Sequence, residues 1–148
     1  MQTFIRLSLA AILAATISGC ASVPMAPADA DKAAKQFATS PGQGNVYVYR
    51  NESMGSAIKM GIYVNEKPIG QTAAKTYLLI PLNPGVHKIR GHAENDSFVD
   101  LDVKAGQNYF IWQEVKMGGM SARNKLQIVD DATGKKGVGQ CKLTAAGQ

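Results

Sequence analysis

Cysteine is scarce in this 148-residue chain, and charge is modest. Two cysteines are too few for a disulfide scaffold or a four-cysteine zinc site. Charged residues make up 18% and hydrophobic residues 45%. That balance excludes a disordered polymer and a multispan membrane protein and allows one ordinary domain. Sixteen Lys plus Arg against eleven Asp plus Glu leave +5, short of the clustered basic surface of a dedicated nucleic-acid binder, so no nucleic-acid partner is expected. Long hydrophobic runs are also missing. The apolar run over residues 7–17 would span roughly 16 Å as a helix, about half of the ~30 Å hydrocarbon core, too short for a permanent transmembrane helix.

That run follows Arg6 and precedes Ser18 and Gly19, the three-part layout of an export signal that is removed. Ile17-Ser18-Gly19-Cys20 resembles the lipobox of bacterial lipoproteins, an aliphatic residue and two small ones before a cysteine. The resemblance implies signal-peptidase recognition of Ile17, Ser18 and Gly19 and cleavage before Cys20. It also implies a diacylglycerol on the Cys20 sulfur and an acyl chain such as palmitate on its amine. Several chains meet the two-signal requirement for stable anchoring to a membrane. Lipoproteins retained in the inner membrane often carry Asp after the cysteine; Ala21 there favours the outer membrane, with the body facing the periplasm. The competing reading is an ordinary secretory signal cut near Ala15 or Ala21, with Cys20 incidental.

The chain thus divides into a leader (1–19), a lipidated cysteine and tether (20–44) and a β-domain (45–148). Removing residues 1–19 leaves 129 residues, and the loss of Arg6 lowers the charge to +4. Cys141 becomes the lone thiol, read as a small buried apolar residue of the last strand rather than a reactive one. The tether is rich in Ala, Pro, Asp, Lys, Ser and Gly and cannot bury a core of its own. As a flexible coil its 24 residues would reach about 27 Å, although residues 29–38 (DADKAAKQFA) hold a cap candidate and good helix formers.

From Asn45 onward, short β-rich runs alternate with turn residues, and no 3.6-residue apolar period persists. Val46-Tyr47-Val48-Tyr49 is apolar on both faces, as a doubly covered strand would be. Ile62 and Val64 alternate before a turn at Asn65-Glu66, and residues 76–82 form the next run. Asn83-Pro84-Gly85 has the signature of a type II turn and predicts a hairpin. In the strand after it, His87, Ile89 and Gly91 share one face, opposite Lys88, Arg90 and His92. Val99, Leu101 and Val103 alternate with Phe98, Asp100 and Asp102, and residues 109–115 read as a core strand. Residues 125–129 and 138–143 complete the set, with residues 130–136 as a polar connection and residues 134–139 (GKKGVG) as a hairpin loop. The expected fold is all-β, a small antiparallel sandwich of about seven strands.

The order of Tyr47-Val48-Tyr49-Arg50, Ile62-Tyr63-Val64-Asn65, Gly70, Tyr77, Leu82-Asn83-Pro84-Gly85-Val86-His87 and Gly106-Gln107-Asn108-Tyr109-Phe110 resembles the bacterial lipoprotein family with domain of unknown function 2846. It is also similar to small PEGA-like β-domains. The resemblance implies a β-sandwich lipoprotein of the cell envelope, and it carries over no catalytic residue.

His87 and His92, with Glu94, Asp96, Asp100 and Asp102, are the densest collection of possible ligands. Residues five apart on a strand point to opposite faces and lie about 17 Å apart, which separates the two imidazoles. Asp100 and Asp102 are expected opposite Lys88 and Arg90 as exposed charge pairs. Neither a nucleophile elbow nor a phosphate loop is present, and no metal or cofactor is expected. Residues 51–60 (NESMGSAIKM) and 116–124 (KMGGMSARN) combine Met, Gly and a cation, a composition suited to an adaptable contact surface. Met54, Lys59, Met60, Met117, Met120 and Arg123 are the candidate contacts. The expected role is a non-enzymatic binding module, tethered by lipid and contacting an envelope protein or a cell-wall polymer. The alternatives are an envelope enzyme or metal-binding protein using His87 or His92 with nearby carboxylates, and a purely structural lipoprotein.

Overall fold

In the computed structural model, which describes residues 22–145, Val46-Tyr47-Val48-Tyr49 forms the middle of a sheet covered on both faces. The elements run α1 (Ala28–Ala34), β1 (Gly44–Arg50), β2 (Met60–Val64), β3 (Lys67–Thr72), β4 (Thr76–Leu82), β5 (Gly85–His92), β6 (Asp96–Val103), β7 (Asn108–Met117), β8 (Ala122–Val129), α2 (Asp131–Gly139) and β9 (Lys142–Leu143). One sheet has the order β8-β7-β1-β4-β9 and the other β3-β2-β5-β6. The all-β sandwich is as expected, with nine strands instead of about seven. Two of its pairings are parallel, β1 with β7 and β4 with β9.

Alternation along the strands sorts the apolar residues into two cores. Val46, Val48, Leu78, Ile80 and Ile111 point inward and meet Ile62, Val64, Ile89, Leu101 and Val103 of the second sheet. Tyr47, Tyr49, Tyr77 and Phe110 point outward, where Ala34, Val138 and Cys141 bury them. The Tyr47 and Phe110 rings stack at 5.1 Å, and Phe37 closes edge-on to both at 5.3 and 5.7 Å. Such pairs are worth roughly 0.5–1.5 kcal/mol beyond the area they bury.

The segment before β1 is therefore part of the body, and the reach of a free coil does not apply from Val23 onward. Val23 is buried, Met25 bridges to Thr144, and the Tyr47 hydroxyl donates to the Ala34 carbonyl at 3.0 Å. Asp31 is the pin: its carboxylate accepts from the Tyr77 hydroxyl at 2.8 Å, the Leu143 amide at 2.9 Å and the Lys35 ammonium at 2.8 Å. Residues 1–21, with the leader, Ile17, Ser18, Gly19 and Cys20, lie outside the described residues.

Two turn expectations are corrected. Asn83-Pro84-Gly85 does not close a hairpin: β4 pairs with β1 and β9, whereas β5 pairs with β2 and β6. The tripeptide instead carries the chain from one sheet to the other, and Gly85, at φ 137°, supplies a bend open to glycine. Residues 131–139 form a helix, not a polar connection running into a strand, and GKKGVG is no hairpin loop. Asp130 caps the helix by accepting from the Thr133 amide at 2.9 Å and its hydroxyl at 2.7 Å. The glycines that suggested a turn serve close packing: a Cβ on Gly134 would lie 2.1 Å from the Phe110 ring, and one on Gly137 would lie 2.2 Å from the Tyr49 ring.

The charge pairing in β5 and β6 also differs from expectation. Lys88 faces Asp100, but Arg90 faces Phe98 and Asp102 faces Val86. Arg90 instead pairs with Glu66 at 3.2 Å and Asp96 at 3.3 Å, Asp102 pairs with Lys104, and the Lys88 ammonium lies over the Phe98 ring.

Two predictions test this packing. Helix propensity favours Gly137→Ala by up to about 1 kcal/mol, but overpacking against Tyr49 costs about 1–3 kcal/mol. The variant should melt below wild type, whereas Gly139→Ala, with nothing within 4 Å of the added Cβ, should not. For Asp31, burial opposes ionisation, but Lys35, Tyr77 and Leu143 outweigh it and hold the carboxyl below the usual aspartate range. Its contribution is full above the pKa of a free aspartate and is lost as pH falls through the lowered value. Asp31→Asn should cost about 1 kcal/mol at neutral pH, and denaturant titrations should show that deficit closing in acid.

Candidate functional site

Because β1 and β7 run parallel, the loops that leave them, residues 51–59 and 118–121, emerge at the same end of the sandwich. Each is held by charged side chains that bind backbone groups. Arg50, the last residue of β1, is fully buried and donates to the carbonyls of Ile58 at 2.7 Å, Met54 at 3.3 Å and Gly55. Burial pulls its guanidinium pKa down, and the nearby Glu52 carboxylate opposes the change. Glu52 ties the same loop to β7 by accepting from the Val115 amide at 3.3 Å. Gly55 holds φ at 66°, the left-handed geometry that glycine adopts without strain.

Glu94, in the turn between β5 and β6, reaches under the second loop. Its carboxylate accepts from the amides of Gly119 at 2.8 Å, Met120 at 2.9 Å and Ser121 at 2.6 Å. These three amides hold its pKa below the usual glutamate range, with desolvation opposing and Arg123 adding a smaller favourable charge. A Cβ on Gly118 would lie 2.1 Å from the Ser121 carbonyl and 2.7 Å from Glu94 Oε1, so the loop's own backbone requires glycine there to close over the carboxylate.

The loops flank a groove of about 340 Å³ walled by Met54, Gly55, Val115, Met117, Met120 and Ala122. Met117 and Met120 stand 86% and 101% exposed and Met54 54%. An adjoining hollow of about 410 Å³ contains Ile58, Lys59, Tyr63, His92 and Met120. The groove offers polarisable apolar surface with cations at its rim, suited to an adaptable contact.

Beneath the loops, a buried polar bridge joins the sheets. Gln113 of β7 accepts from the Thr72 hydroxyl of β3 and donates to Asn124 of β8 at 3.3 Å. Asn124 in turn donates to the Gly91 carbonyl of β5 at 3.2 Å and to the Asn95 carbonyl at 3.1 Å. A Cβ on Gly91 would lie 2.2 Å from Asn124 Oδ1.

The structure brings five of the six expected contact residues, Met54, Lys59, Met117, Met120 and Arg123, to this end with exposed side chains. Met60 is the exception. It is fully buried in β2 and alternates inward with Ile62 and Val64, so it belongs to the core and not to a contact surface. His87 and His92 do not converge: His87 meets Asn83 and Asn65, and His92 pairs with Asp96 at 2.7 Å. Among the described residues no three His, Cys, Asp or Glu side chains could share a metal. Cys141 is buried just before β9 rather than within a strand, and burial pushes its thiol up to about 12. Sequence reasoning passed over Arg50 and Glu94 as anchors. The only available sign was an arginine directly after four apolar residues, since Glu94 looks like any other turn carboxylate.

The fold and site define a β-sandwich covered by helices on one outer face, with a methionine-rimmed groove at one end. The chain belongs to the family described as protein of unknown function (DUF2846), whose pattern matches residues 40–125. It is 34% identical over 148 residues to an uncharacterised protein of Haemophilus influenzae, covering 98% of this chain and 87% of that one. No solved structure matches it. The matched residues contain both loops, Arg50, Glu94 and the Gln113–Asn124 bridge, but neither helix.

Two substitutions test the loop anchors. Arg50→Lys replaces a fork that reaches three carbonyls with a single ammonium, so stability should fall by about 2 kcal/mol in denaturant unfolding. Glu94→Gln should speed amide exchange at Gly119, Met120 and Ser121 with little change in melting temperature. In wild type the protection of these amides, measured against their intrinsic exchange rates at each pH, should fall as pH drops through the lowered Glu94 pKa.

Proposed function

We propose that this protein is a lipid-anchored component of the bacterial cell envelope, held at Cys20 in the outer membrane and facing the periplasm. In this reading it acts as a non-enzymatic contact module whose working surface is the loop end. The observation that carries the reading is the convergence of two Met/Gly loops, 66 positions apart at Met54 and Met120, on one groove with solvent-exposed methionines. Exposed apolar side chains cost solubility unless something covers them, and the Arg50 and Glu94 anchors hold this surface ready for a contact. The lipobox-like Ile17-Ser18-Gly19-Cys20 supplies the address, and the separation of His87 from His92 removes the main support for the enzymatic or metal-binding alternative.

Metabolic labelling with an alkyne palmitate is expected to mark the wild-type chain and not Cys20→Ala, which should also leave the membrane fraction. Label on both chains, or on neither, would overturn the anchor. Methionine-oxidation footprinting tests the surface. Met54, Met117 and Met120 should oxidise more slowly in intact envelopes than in the purified protein, and equal rates would refute a covered loop end.

A further inference from the structure

We propose that the component contacted by the loop end is the lipid bilayer itself. The sandwich stands on the membrane with Met54, Met117 and Met120 among the headgroups and upper acyl chains. This rests on the lipid anchor proposed above.

The strand register locates the anchor. Ser22 and Val23 line one hollow with Ala73, Ala74, Lys75, Thr76 and Lys142. Thr76 is opposite Arg50 across β1 and β4, and Lys142 is opposite Thr76 across β4 and β9. The chain therefore enters the fold at the end that carries the methionine loops. Cys20 precedes Ser22 by two residues, a span of at most about 7 Å, whereas a seven-residue strand is roughly 23 Å long. An acylated Cys20 cannot carry its lipid to the far end. Within the first sheet, β9 is one edge and β8 the other, four strand spacings or about 19 Å apart. The lipid would hold one edge of the end surface and the β7–β8 loop methionines the other.

Charge agrees with an anionic lipid surface. Lys59, Lys75, Arg123 and Lys142 of this end form no ion pair among the described residues. Most of its acids are engaged: Glu94 by three loop amides, Asp96 by Arg90 and His92, and Glu114 by Lys116, while Glu52 takes the Val115 amide on one oxygen and buries the other without a partner. Cations at headgroup level beside flexible apolar side chains match the composition of an interfacial contact. Rigid docking on a protein would instead bury the unpaired cations against acidic partners.

The test places a nitrobenzoxadiazole fluorophore on Met120→Cys or, at the opposite end, on Val86→Cys. Full-length lipidated protein is reconstituted in vesicles of phosphatidylethanolamine and phosphatidylglycerol, and the buried Cys141 stays unlabelled. The probe at position 120 should emit to the blue of the probe at 86 and be quenched by doxyl lipids. Reversing Lys59, Lys75 and Lys142 together to Glu should return it toward aqueous emission. If both probes stay aqueous while the protein floats with the vesicles, the anchor holds and the orientation is refuted. If the protein does not float, the anchor reading fails and this proposal with it. A photoreactive residue at Met117 that captures protein rather than lipid in native envelopes would also overturn it.

Discussion

The architecture depends on β1 being apolar on both faces. A strand that projects Val46 and Val48 to one side and Tyr47 and Tyr49 to the other cannot belong to a sheet with a solvated face. Its outer side needs a cover, and the short helices α1 and α2 provide it. That requirement explains why residues from Val23 onward fold onto the domain, and why Gly134 and Gly137 must lack side chains. It also explains the parallel strand β9, which follows α2 back to the sheet edge.

The same central strand sets the loop end. It delivers Arg50 into a buried position from which one guanidinium meets three carbonyls of the following loop. Its parallel partner β7 delivers the second loop beside the first. A buried guanidinium is costly unless its hydrogen bonds are met; here backbone oxygens meet most of them, and the loop gains order. The Gln113–Asn124 bridge works likewise between the sheets, since polar groups in a core fix one arrangement only when their partners are in place. The exposed methionines are thus mounted on a rigid base.

Much of the fold was legible along the chain because period-two patterning is local. Val99, Leu101 and Val103 declare their face, and so do Ile62 and Val64. The doubly apolar β1 announced a covered sheet, and the Met/Gly loops were legible as an adaptable surface. Errors arose where one local signal serves two physical ends. A glycine in GKKGVG can permit a turn or a close approach to an aromatic ring, and only the positions of Tyr49 and Phe110 decide. Asn83-Pro84-Gly85 bends the chain whether the next strand pairs with the last or joins the facing sheet. Met60 has the composition of the loop before it, yet falls on the inward parity of β2.

By itself, the sequence determined the predominance of β-structure, the two-faced central strand, the short apolar run with its lipobox-like end and the pair of methionine loops. These are properties of neighbouring residues and of alternation, which tertiary context leaves unchanged. Tertiary structure alone decided that the two loops form one groove, that Arg50 and Glu94 anchor them, that Met60 is core and that the helices close the outer face. Those outcomes depend on strand order and register, which are set by long-range burial between residues far apart in the chain.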